Sequence, residues 1–249
     1  MQPVKEFAVI INTAKNQIMK KLLSLSCFFL FSTVLVFANH TENRALDNFT
    51  TLSVAGSVKV LLVKGSTPKA EIETVNASTE DLITSVKNGE LKIKFKDKKG
   101  RWINNKKAIV TLTYTSLEGI SAAAGSNVKA DNIINSESLF INVSSGAYAA
   151  LDIKSEDVRL SVSSGGSLVL EGQADEANLE VSSGGSLNGR DLKASYVKAS
   201  ASSGGGAKIW AIKSIRATAS SGGTIKYKGD PEKTNVNSGY SGNIKKMMR

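Results

Sequence analysis

The chain has 249 residues, a formal net charge of +10, one histidine and one cysteine. The only histidine, His40, sits beside the signal-peptide cleavage point expected after Ala38, so no His-based triad or metal site is expected, and a lone cysteine, Cys27, leaves neither a disulfide framework nor a thiolate metal site. The positive balance favours anionic partners such as polysaccharide or lipid headgroups, with no specific nucleic acid expected; a plainer reading is a solvated surface that keeps a repetitive β protein from sticking to itself.

Met19-Lys20-Lys21 forms a basic start, Leu22 to Phe37 an uncharged apolar run, and Val36-Phe37-Ala38 a cleavage site. Residues 19–38 therefore read as a secretory signal peptide cut after Ala38, and residues 1–18 as an extension ahead of the true start. The 16 apolar residues from Leu22 to Phe37 are short for a membrane span. Cys27 is not a lipoprotein site, because the apolar run continues past it. From residue 39 onward there are 28 basic against 21 acidic residues, a net of +7, and no cysteine. The expected location is the periplasm, the outer-membrane surface or the medium.

Residues 44–117 are expected to hold the first strands and a cap. Leu46, Phe49, Leu52 and Val54, then Val58, Val60 and Leu62, read as two strands turned at Ala55-Gly56-Ser57, a degenerate first coil. Ser78-Thr79-Glu80-Asp81 looks like a helix start and Gly89 a stop, with Leu82, Ile83 and Val86 on one face. That predicts a short helix capping one end of the fold. Leu91, Ile93 and Phe95 alternate with Lys92, Lys94 and Lys96, a strand with one basic face. The loop that follows places Lys98, Lys99, Arg101, Lys106 and Lys107 around Trp102, a candidate surface for stacking on a sugar and holding an anion. A solvated hairpin loop is its plainer reading.

Residues 118–235 carry a repeat. Ala-Ala-Gly at Gly125 is followed by Ser-Ser-Gly ending at Gly146, Gly165, Gly184, Gly204 and Gly222, in steps of 21, 19, 19, 20 and 18 residues. Five residues before each glycine stand Ile120, Ile141, Leu160, Leu179, Ala199 and Ala217, and three before it Ala122, Val143, Val162, Val181, Ala201 and Ala219. Three after it come Val128, Ala149, Leu168, Leu187, Ala207 and Ile225. Period-two alternation in phase over more than a hundred residues excludes both helix and disorder. The predicted fold is all-β: a single-domain parallel β-solenoid, right-handed by the crossover preference, with about six Ser-Gly rungs. Ser-Ser-Gly is then a coil corner, and residues 236–249 read as a polar, basic tail.

The signal peptide, the Leu-Xaa-Xaa-Phe-Xaa-Xaa-Leu-Xaa-Val string at Leu46 to Val54, the helix-then-strand at Glu80 to Phe95 and the Ser-Gly rungs resemble the putative auto-transporter adhesin, head GIN domain family. The resemblance spans about residues 44–230. It implies a β-solenoid-like fold of Bacteroidota-type envelopes and an adhesin-like role, and it supplies no catalytic residue. The chain departs from the family pattern in having no Gly-Ile-Asn string and in reading Tyr114-Thr115 where Tyr-Pro is expected.

One outward column places Asp131, Asp152 and Glu171 at the same rung position, followed by Arg190, Trp210 and Lys228, with Asp191 one step beyond Arg190. Carboxylates on adjacent rungs lie about 5 Å apart, the separation of a retaining glycosidase pair or of oxygen ligands to a cation. No cleft or aromatic platform is evident around Asp152, so a solvated face is the plainer reading. No cofactor is expected. Three functions follow: a non-enzymatic adhesin-like solenoid binding a glycan or anionic surface polymer, a polysaccharide-active enzyme using the acidic column, and a purely structural envelope component. The first is the reading adopted, and oligomeric state is left open.

Overall fold

Alternating apolar residues leave each strand one face to bury, and the coils bury it by closing two sheets over a shared core. The computed structural model describes residues 40–96 and 105–247 of the chain. These form seventeen strands and a single 3-10 turn at Thr79–Asp81. The family of apolar columns is the core: Ile120, Ile141, Leu160, Leu179, Ala199 and Ala217 lie in register on successive turns and all are buried.

The N-terminal strands are β1 (His40–Ala45), β2 (Thr51–Ala55), β3 (Val58–Lys64), β4 (Lys69–Val75), β5 (Leu82–Lys87), β6 (Glu90–Phe95) and β7 (Lys107–Tyr114). They precede β8 (Gly119–Ala123) and β9 (Asn127–Ala130). Strands β2 and β3 run parallel to β8 and β9, with Leu52 beside Ile120 and Val60 beside Val128, so the turn at Gly56 is indeed a coil of the stack. On its other side lie β6 and β7, with Leu91 beside Leu52 and Val110 beside Val60. The order in space therefore departs from the order in sequence.

The solenoid makes about seven turns. Its long strands are β10 (Ile134–Val143), β11 (Tyr148–Val162), β12 (Ser167–Val181), β13 (Ser186–Ala201) and β14 (Gly206–Ala219), and all pair in parallel. Each spans one side of a coil, bends, and returns along the other. The bend is a column of small residues, Ser136, Ser155, Ala174, Ala194 and Ala211, stacked in register. The buried Ser155 hydroxyl donates to the carbonyl of Asp157 at 2.9 Å, which answers the cost of burying it. The Ser-Ser-Gly corners are tight turns that bond both within and between coils: Gly185 N–H donates to Ser182 O at 2.8 Å, and Gly184 N–H to Ser203 O on the next coil at 3.1 Å.

The expected capping helix is not formed. One 3-10 turn is followed at once by β5, which pairs antiparallel with β6. Leu82, Ile83 and Val86 suit a helix face, but Asn88 and Gly89 take φ of +50° and +75°, a hairpin turn that sets Leu82 opposite Phe95 and Val86 opposite Leu91 instead. The N-terminal end is closed by strands: β5 on one sheet, and β4 with β1, antiparallel on β7, on the other. At the opposite end, the stretch read as a polar tail carries the end of β16 (Lys233–Ser238) and all of β17 (Asn243–Lys246). These pair in parallel with β14 and with β15 (Thr224–Lys228), adding a last turn to the six rungs expected.

Candidate functional site

The lysine-rich loop is only partly within the described residues: Lys98, Lys99, Arg101 and Trp102 lie outside them. Lys106 is pinned rather than offered to a ligand. Its ammonium meets Asp81 Oδ2 at 3.1 Å with both side chains only 14% exposed, and it sits 6.0 Å from the Phe95 ring centre. This pair ties the start of β5 to the start of β7. Lys107 is exposed, at the first position of β7 opposite Val75, and lines a small groove with Lys59 and Asn127.

Two members of the expected acidic column fall in register, and the coil beyond them contributes a different residue. Asp152 pairs in register with Glu171, and Glu171 with Asp191 rather than Arg190. The coil between Gly184 and Gly204 is one residue longer than its predecessor, and the surplus is absorbed as an irregularity around Gly189 and Arg190. Asp131 follows directly on β9, its amide donating to Leu62 O at 3.0 Å. Among the described residues no three His, Cys, Asp or Glu side chains converge as a metal site.

The same irregularity builds a cluster that the rung alignment does not reveal. Trp210 has Lys193 on the preceding coil and Lys228 on the following one, 4.9 and 4.0 Å from its ring centre. Lys228 lies across the indole and reaches Asp191 Oδ1 at 3.3 Å. Lys246 is held by Asp230 at 2.6 Å. Arg190, Asp191, Trp210, Lys228, Asp230 and Lys246 line a depression of about 1120 Å³. Trp210 and Lys228 stood in the outward column from sequence alone; Lys193 did not, because the bulge displaces it by several positions. A second groove, about 690 Å³, runs along the bend of the coils. Glu137, Glu156 and Asp175 line it with Lys154 and Lys193, an acidic row that the repeat alignment on glycine passed over.

Charge is sorted along the axis. Residues 131–191 hold ten acidic and three basic side chains, whereas 192–249 hold two acidic and eleven basic. The middle coils are therefore negative and the last coils strongly positive, although the whole is only moderately basic.

The comparisons agree with this architecture. A putative adhesin from Bacteroides fragilis superposes with a TM-score of 0.77 at 22% identity, covering 84% of this chain and 96% of its own. A putative lipid binding protein from Parabacteroides distasonis gives 0.65 at 20% identity, with 85% and 98% covered. A putative adhesin from Parabacteroides merdae gives 0.65 at 19%, with 84% and 96% covered. At such identities they are likenesses of fold. No curated protein matches the chain. The family described as "Putative auto-transporter adhesin, head GIN domain" matches residues 48–231, from the first coil at Gly56 to the last corner before β16, and the chain belongs to that family.

Proposed function

We propose that the protein is an exported, adhesin-like solenoid that holds a glycan or anionic component of a cell surface without chemical turnover. The observation that carries this reading is the arrangement of charge: ionic and aromatic side chains stand in columns on long strand faces, at a fixed repeat of about 4.8 Å, which suits an extended repetitive ligand. Family membership supports an adhesin-like role. The signal-peptide pattern at residues 19–38 supports export. The loop bearing Lys98, Lys99, Arg101 and Trp102, joined to the fold through Lys106 and Lys107, remains a candidate contact. So does the outward column of Asp131, Asp152 and Glu171.

A glycan array probed with residues 39–249 tests the reading. Binding is expected to weaken as salt is raised, because exposed charges are screened beyond about 8 Å at physiological ionic strength. The double change Asp152→Ala and Glu171→Ala leaves that binding intact if the acidic column is a solvated face and weakens it if the column is a contact. Failure to bind any surface component sinks the proposal, and release of reducing ends from acidic polysaccharide, lost in the double variant, would assign the acidic column to catalysis instead.

A further inference from the structure

Lys208, Lys226 and Lys245 occupy one outward column on three successive coils. Lys208 pairs in register with Lys226, and Lys226 with Lys245. All three are exposed, and among the described residues none makes an ion pair. In the preceding coils the same column holds Ala150, Val169 and Asn188, so the basic row begins abruptly where the acidic coils end. Two residues along each strand, on the same face, Trp210 and Lys228 form the adjoining row.

We propose that this face of the last three coils is the docking surface for an acidic polysaccharide lying parallel to the solenoid axis; the inference rests on the adhesin-like reading and gives it a ligand class and a place. A column of cations crossing the strands at about 4.8 Å intervals matches a linear polymer carrying a carboxylate on successive sugars, not a compact anion. The row on the other side of the lysines is Ser186, Gly206, Thr224 and Asn243, in register. A Cβ at Gly206 would meet nothing within 4 Å, so packing does not require glycine there. Its effect is a bare shelf beside Lys208, flanked by hydroxyl and amide groups able to bond sugar hydroxyls.

Other polyanions fit less well. Single-stranded nucleic acid is held by aromatic side chains on which bases stack, and here the indole of Trp210 already carries Lys193 and Lys228. A membrane surface is held by apolar side chains buried beside the basic ones. Of the exposed large apolar residues, Leu61 and Phe140 lie on earlier coils, Ile212 follows the bend of β14 and Val236 lies on β16; Tyr240, at the corner ahead of β17, adjoins this face without a second apolar side chain beside it to enter a membrane.

The test uses residues 39–249 with polygalacturonate as probe, against dextran, an oligothymidylate and anionic phosphatidylglycerol vesicles. Polygalacturonate is expected to bind at low salt and to be lost by a factor of roughly ten or more in the triple variant Lys208→Gln, Lys226→Gln, Lys245→Gln. An unchanged circular dichroism spectrum and melting temperature establish that the triple variant is folded. Equal binding by wild type and triple variant overturns the inference, as does tighter binding of the oligonucleotide or the vesicles. Binding to other glycans but not to polygalacturonate also overturns it while the adhesin-like reading survives; binding to nothing removes both.

Discussion

Ser183 and Gly184 take φ of +48° and +71°, and Gly185 closes the turn. The two glycines are required for different reasons. At Gly184 a Cβ would meet nothing within 4 Å, so only the left-handed backbone opposes a side chain. At Gly185 a Cβ would lie 2.5 Å from Val162 O on the preceding coil. Gly184→Ala should therefore cost about 1 kcal/mol, a backbone term, and Gly185→Ala about 2–3 kcal/mol, because backbone must move. Urea denaturation of the two variants checks the order; a larger loss at Gly184 would contradict the assignment. Arg44 is the other residue on which local order depends. It grips both oxygens of Glu42 at 2.7 and 2.9 Å and donates to Leu82 O and Thr79 O, each at 2.7 Å, joining the cap strand of one sheet to that of the other. Hydrogen bonds from Arg44, and then from Thr79, hold the Glu42 carboxyl at about 2, below its ordinary 4.5. A carboxyl so depressed stabilises the fold fully above pH 4.5 and loses that contribution as the pH falls toward 2. Glu42 is 38% exposed, so solvent screens the pair and the effect is modest. Glu42→Gln should flatten the acid limb of stability against pH. Arg44→Ala should cost about 1–3 kcal/mol and speed amide exchange in β1 and β5 but not in the coils beyond Gly125.

Among the elements, the ends of the solenoid show what a repeat hides. The β5–β6 hairpin reads as a helix because Leu82, Ile83 and Val86 satisfy a helical face as readily as a short strand. Asn88-Gly89 serves equally as a helix stop or a hairpin turn, and only pairing with β6 separates the two. The last turn is obscured for a better reason. Its inward seats are Thr234, Val236 and Ser238, stacked on Ile215, Ala217 and Ala219. Among the described residues no further coil covers them, and polar residues at two of three core positions leave this end of the stack with little apolar surface. Val236, at 44% exposure, is the exception. Edge lysines 233, 245 and 246 then discourage another chain from pairing there. A chain ending at Gly229 would bare Ala217, Ala219 and Ile225, all buried in the full fold. It should self-associate at micromolar concentration, visible by light scattering, whereas the full chain does not gain this apolar end; a monodisperse truncated chain would show that β16 and β17 are dispensable as a cap.

Across the whole molecule, the two halves of the repeat differ in charge rather than in fold. The coils from Asp131 to Asp191 and those from Leu192 onward belong to one continuous stack of strands, yet carry net charges of opposite sign. Adjacent lysines in the Lys208 column repel by about 1 kcal/mol even at the dielectric of water. Their long side chains can splay to relieve this, and a polyanion laid along the column would relieve it better. Much of this protein was settled by linear order alone: the all-β class, the aliphatic columns and the Ser-Gly corners. These are local properties, since each depends on residues a few positions apart and is repeated at the same seat about every 19 residues. What only the tertiary structure decided depends on pairing between distant residues. It placed β6 and β7 outside β2 and β3, closed the N-terminal end with antiparallel strands, and let the residues between Gly189 and Lys193 bulge out and shift the register. That shift brings Asp191, Lys193, Trp210 and Lys228 together from three coils. Spacing counted along the chain cannot see a bulge, because its cost is set by the neighbouring strand and not by the residues that form it.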